Sequence, residues 1–204
     1  MAKEFESLSE RPQIKRITSK KELKEWLNYE LPVYATGIRC FLPIGEGYIL
    51  RKHQYLLRKA EYYTNTGKRI RMALCRMRLN MIQNKYCIHI PLNCCGKGLR
   101  IMHIGPILIN GRAVIGENCK FHINTALVAG GTNHDTPVLG NNVVVGFGAV
   151  VVGGVRIADN VAIGANAVVN KDVLETSVTV AGVPAKKVSD KGSDAWGRKN
   201  NLPR

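Results

Sequence analysis

The sequence predicts a mainly β fold: a coil of stacked turns with three short parallel strands per turn, preceded by an N-terminal α-helical region. Three observations predict it. Between Leu139 and Leu174 the chain repeats every six residues. Neither the 3.6-residue helical period nor the two-residue strand alternation generates a period of six. Segments with helical spacing and capping signals lie before residue 86.

Leu139, Val145, Val151, Ile157, Ile163 and Val169 open successive six-residue blocks, usually followed by a small residue. A fixed short period is the sign of a stacked coil. Each face takes six residues, so every sixth side chain points inward and stacks on its equivalent one turn along. Asn and small residues fall at the corners, where the backbone turns and positive φ is needed. Upstream, Leu127, Phe121, Ile115 and Ile109 keep the register. Asn133 does not, which makes 130–138 a loop leaving the coil. His103, in Ile101-Met-His-Ile-Gly-Pro106, occupies a slot for an aliphatic residue, and a strict register would turn it into the coil.

Ser19 with Glu22 three residues on reads as a capping box. It opens a helix over 20–30, which Pro32 ends. A second helix is expected over 46–63, broken by Asn65-Thr-Gly67, and a third over 68–84. In the third, Ile70, Leu74, Met77 and Met81 share one face, while Arg69, Arg71, Arg76 and Arg78 fall largely outside it. Residues 1–18 carry no clear period, and the tail after Val188, containing Trp196, reads as mobile. The chain divides into a helical region (1–85), the coil (86–190) and a flexible tail (191–204).

The chain has 204 residues, which suits one or two domains, and a net charge of +15. Ten Lys or Arg and one acid lie in 51–85. The simplest reading is a solvated face on a helix packed against the coil. An anionic membrane or RNA is the alternative. Aromatic–basic interleaving is lacking, so nucleic acid is not an expected partner. The start lacks a signal-peptide core, and Val143–Val155 is too short and glycine-rich to span a bilayer; a cytoplasmic protein is expected. Cys40, Cys75, Cys87, Cys94, Cys95 and Cys119 form no Cys-x-x-Cys pair and read as reduced, small hydrophobic residues.

The repeat resembles the hexapeptide-repeat acyltransferases, and that resemblance implies a left-handed parallel β-helix, an exception to the usual crossover hand. The serine acetyltransferase family is closer, in its polysaccharide or capsule-type O-acetyltransferase branch. Gly98-Leu-Arg-Ile-Met-His-Ile-Gly-Pro-Ile-Leu-Ile-Asn110 is similar to that family's catalytic-histidine segment. Ala113-Val-Ile-Gly-Glu-Asn-Cys119, Ile163-Gly-Ala-Asn-Ala-Val168 and Val180-Ala-Gly-Val-Pro-Ala-Lys-Lys187 are similar to its later coils and terminus. The resemblance covers about residues 88–190.

It implies acetyl-CoA as co-substrate, no metal, and a homotrimer with sites between subunits. His103 would be the general base, a role that suits an imidazole near neutrality. His134, in the 130–138 loop, would be a second catalytic or acceptor-binding residue; His122 and His89 are lesser candidates. Ala149, Gly164, Ala167 and Pro184 would line the coenzyme A groove, with Lys171, Lys186 and Lys187 meeting its phosphates and Gly130 and Gly131 offering amides to the oxyanion. Three charged residues of the family are replaced here, by Ile88, Met102 and Asn133. Their loss favours a neutral sugar hydroxyl as acceptor, with L-serine as the alternative. A zinc carbonic anhydrase using His103, His122 and His134 lacks that family's close-spaced histidine pair. A non-catalytic basic scaffold on an anionic surface is the reading from another class.

Overall fold

The computed structural model describes residues 13–37, 43, 45–131 and 135–195. Cys40, Asn133, His134 and Trp196 lie outside the described residues. Three helices come first: α1 (Lys20–Glu30), α2 (Gly45–Asn65) and α3 (Arg69–Tyr86), with a 3-10 turn at Leu31–Val33. The capping box at α1 is formed: Glu22 donates its amide to Ser19 Oγ, and its carboxylate reaches back to the Ser19 amide. Hydrogen bonds from Thr18, its amide first, hold the Glu22 carboxyl down to about 2.

Among the described residues, fourteen short strands follow. The first seven are β1 (Ile88–His89), β2 (Arg100–Ile101), β3 (Ile107–Ile109), β4 (Val114–Ile115), β5 (Lys120–Phe121), β6 (Thr125–Val128) and β7 (Val138–Leu139). The rest are β8 (Val144–Val145), β9 (Val150–Val152), β10 (Arg156–Ile157), β11 (Ala162–Ile163), β12 (Val168–Val169), β13 (Thr179–Ala181) and β14 (Lys186–Ser189). They form three sheets, ordered β1-β3-β6-β9-β12, β10-β7-β4 and β14-β13-β11-β8-β5-β2. All pairings are parallel except β13 with β14. A chain that visits three sheets in rotation is a coil of triangular section.

The repeat residues stack as the period requires. Ile109, Leu127, Val151 and Val169 align inside the first sheet. Ile115, Leu139 and Ile157 align in the second, and Ile101, Phe121, Val145 and Ile163 in the third. All are buried. Asn118, Asn124, Asn142, Asn160 and Asn166 turn the corners with φ between 56° and 60°, a region that Asn tolerates better than most residues.

The helices close the first end of the coil. A terminal turn leaves amides and carbonyls with no strand beyond them, a liability that must be covered. Here helix side chains cover it. Arg58 donates to Cys95 O (3.0 Å) and Gly96 O (2.7 Å), and Gln83 to Ile90 O (2.9 Å). Glu61 accepts from the Asn93 amide (2.9 Å), Glu30 from Gly98 (2.8 Å), and the Tyr34 hydroxyl from Ile101 (2.8 Å). Arg58 also pairs with both Glu30 oxygens (3.0 and 2.8 Å) and with Glu61 (2.9 Å), so each of its five N–H groups has an acceptor. Trp26 lies over its guanidinium at 4.8 Å. Burial works against its charge, but Glu30 and Glu61 outweigh burial and raise its pKa.

Three expectations change. Arg58, counted above in a solvated basic face, is fully buried. On α3 the side facing the protein is Cys75, Leu79 and Gln83, whereas Ile70 is 79 %, Leu74 49 %, Met77 56 % and Met81 67 % exposed. The periodicity located an apolar face but not its direction. The tail expected to be flexible from 191 is docked as far as Ala195: the Ser193 amide bonds to Asn160 O (2.8 Å), and Ser193 is buried.

Replacing Arg58 with Ala leaves two buried carboxylates and two carbonyls uncompensated, and we expect a loss of about 3–5 kcal/mol, read from urea unfolding. Burial, with a smaller push from Arg58, depresses His53 to about 3. Unfolding restores a value near ~6.5, so the unfolded chain takes up the proton first as pH falls. Stability is therefore expected to drop between pH 6.5 and 3, by up to about 1.4 kcal/mol per pH unit from this group. Urea midpoints of wild type and His53→Phe across that range test this: the variant has the shallower slope.

Candidate active site

The first complete turn is two residues longer than a later one: Ile101 pairs with Phe121, whereas Val145 pairs with Ile163. The extra residues lie in the corner between β2 and β3. Ile101 takes the inward place there, and His103 moves onto the bend, 57 % exposed. The inward orientation that a strict register gives His103 is thus avoided, and its ring is accessible.

Glu46, in the first turn of α2, meets that ring. Its Oε1 lies 2.9 Å from His103 Nδ1, and its Oε2 accepts from the Ile104 amide at 3.3 Å. A carboxylate has no proton to offer, so Nδ1 carries the hydrogen and Nε2 keeps its lone pair. In that tautomer Nε2 can accept a proton, and the carboxylate would stabilise the resulting imidazolium. A helix N-terminus also favours negative charge in its first turn. His122 occupies the same corner one turn on, its ring centroid 6.4 Å from that of His103. Burial, then the neighbouring His103, pushes its pKa below the ordinary histidine value.

The other candidates are spread over the coil. Gly130 and Gly131 lie at the corner between the first and second sheets, away from the His103 corner, and the Gly130 amide is engaged by Asp135 O (3.0 Å). The oxyanion contact assigned to that amide is therefore already occupied. Ala149 and Ala167 are fully buried, so neither presents surface for a ligand to touch. A Cβ on Gly164 would meet that of Ala181 at 2.9 Å, so close packing of turns already requires glycine there. Lys171, Pro184 and Lys186 are exposed at the far end of the coil. Lys187 is held by Glu175 (2.5 Å) and Asp190 (2.6 Å), which offsets its charge toward phosphates. Ile88 is fully buried. Sequence reasoning missed Glu46, because the only link between residues 46 and 103 is the docking of α2. Among the described residues no group of three His, Cys, Asp or Glu could hold a metal ion.

Residues 136–171 match the bacterial transferase hexapeptide family model (six repeats). The chain is 39% identical over 101 residues to the serine acetyltransferase of Synechococcus elongatus, covering 48% of this chain and 40% of that one. It is 32% identical over 154 residues to that of Buchnera aphidicola, covering 71% and 54%. The serine acetyltransferase structure from Vibrio cholerae superposes with a TM-score of 0.64 at 21% identity, covering 90% of this chain and 73% of the other. The chain is thus serine acetyltransferase-like, and it spans about half the length of the relatives it matches.

The pair at this corner yields a prediction. Given an acyl-transfer assay, His103→Ala should lower kcat by about 10²–10⁴-fold, the usual contribution of a general base. Glu46→Ala should lower kcat as well, but by less than His103→Ala, because the imidazole that accepts the proton is still present. Circular dichroism confirms that both variants are folded.

Proposed function

We propose that this protein is an acetyl-CoA-dependent O-acetyltransferase with the coil in the left-handed sense, working in the cytoplasm as a homotrimer. The observation that carries the reading is the His103–Glu46 pair, exposed at a corner of a coil whose sequence matches serine acetyltransferases. His103 Nε2 takes the proton of the acceptor hydroxyl. The oxygen attacks the thioester carbonyl, the carbon–sulfur bond breaks, and the departing thiolate regains the proton from the imidazolium. Among the residues sequence reasoning assigned to coenzyme A, Lys171, Pro184 and Lys186 stay exposed and available. Outward on the first sheet, Leu108, Ala126, Val150 and Val168 form an uncharged ladder, which supports packing of copies side by side. Because His103 and Gly130–Gly131 lie at different corners of one chain, a neighbouring copy offers the means of bringing them together.

The relatives' names support L-serine as acceptor. The argument for a sugar rested on three lost charges, and Glu46 restores the carboxylate partner of the base that Ile88 lacks. A neutral hydroxyl acceptor is kept as the second reading on one observation, Met102 beside the histidine where the family has an acid.

Free thiol released from acetyl-CoA, with L-serine or neutral sugars as acceptor, tests both. Turnover of L-serine that exceeds every sugar is expected. Turnover of sugars alone establishes the second reading, and no acceptor-dependent thiol from any hydroxyl compound overturns the enzyme.

A further inference from the structure

α3 is amphipathic with its apolar side outward. Ile70, Leu74, Met77 and Met81 form the exposed stripe, and the helix has five cations and no acid. At about 100° per residue, Arg71, Arg78 and Lys85 border the stripe on one side and Arg69 and Arg76 on the other. All five are exposed, and none is in an ion pair among the described residues. A contiguous apolar patch with a charged rim marks an interaction surface.

A second observation adjoins the first. Arg78 also lines a groove of about 520 Å³ between the helices, walled by Leu31, Tyr48, Tyr55 and Leu56 and edged by Arg51 and Lys52. An apolar trough with cations on its rim suits an amphiphile with a negative head. We propose that α3 and this groove form a docking face for an anionic lipid bilayer. The aliphatic and thioether side chains enter the headgroup boundary, the arginines meet lipid phosphates, and the groove takes one anionic lipid. The face lies on the membrane surface: among the described residues no helix is long and apolar enough to cross one.

Charge selects this occupant over others. A second copy on the same face would set five cations against five, with no acid to offset them. Single-stranded RNA would need free rings to stack on its bases; the stripe holds none, and the groove's Tyr48 and Tyr55 carry Lys52 and Lys59 over their rings at 5.9 and 4.9 Å. Sequence composition alone favoured a solvated basic face; the outward direction of the stripe reverses that preference.

Co-sedimentation of the full chain with vesicles tests the proposal independently of acyl transfer. Binding is expected to phosphatidylcholine vesicles that contain phosphatidylglycerol, and not to phosphatidylcholine alone. Arg71→Gln with Arg78→Gln should weaken the partition about 25-fold, from about fivefold per cation near the surface. Ile70→Ser with Met77→Ser should weaken it at least as much, and both pairs, being exposed, should keep the wild-type melting curve. Three results would overturn the proposal: no binding to the mixed vesicles, binding that the Ser pair leaves unchanged, or a Ser pair whose only effect is on the oligomeric state measured by light scattering.

Discussion

The constraint on which the structure depends is the open edge of the first coil turn. A parallel coil satisfies its backbone by stacking, so its terminal turn always presents unpaired amides and carbonyls. Here six of them, from Ile90 to Ile101, are met by Gln83, Glu61, Arg58, Glu30 and Tyr34. Arg58 is the centre of that set, fully buried with every donor used. A guanidinium suits the place because its planar fork can address two carbonyls and two carboxylates at once. The buried charge is tolerable only because Glu30 and Glu61 accompany it.

The same helix that carries Arg58 carries Glu46. They are twelve positions apart on α2, about 18 Å at 1.5 Å per residue, so the clamp at Arg58 fixes where the Glu46 carboxylate falls. Orientation of His103 is then a tertiary property of the cap, not a local property of the coil. The carboxylate beside His103 therefore comes from α2, while Ile88 of the coil is buried in the core.

The coil was legible because its period is enforced by close packing: each of the repeat positions from Ile109 to Val169 stacks on its equivalent, and the corner Asn residues adopt the positive φ their places require. His103 was legible as an anomaly in that period, yet its exposure was not. Two residues added at one corner shift the inward slot to Ile101, and a count in sixes carries no record of such an insertion. Arg58 and Glu46 were illegible for another reason. One reads as an ordinary member of a basic run and the other as a helix start, and only long-range docking distinguishes them from their neighbours.

The α3 stripe shows the limit of periodicity most clearly. A helical spacing of apolar residues identifies a face, and burial then depends on what the opposite face offers. Here that face holds Cys75, Leu79 and Gln83, and Gln83 has an indispensable task at the coil edge: its amide donates to Ile90 O and lies 3.4 Å from the buried His53. The inward side buries Cys75 and Leu79 and satisfies a backbone carbonyl as well, an acceptor that would cost ~1–3 kcal/mol if left buried and unmet. The helix therefore turns its polar-containing side inward, and its apolar side is left facing out. The cap's inner surface is thus fixed by hydrogen bonding to the coil, which leaves its outer surface free to carry a separate function.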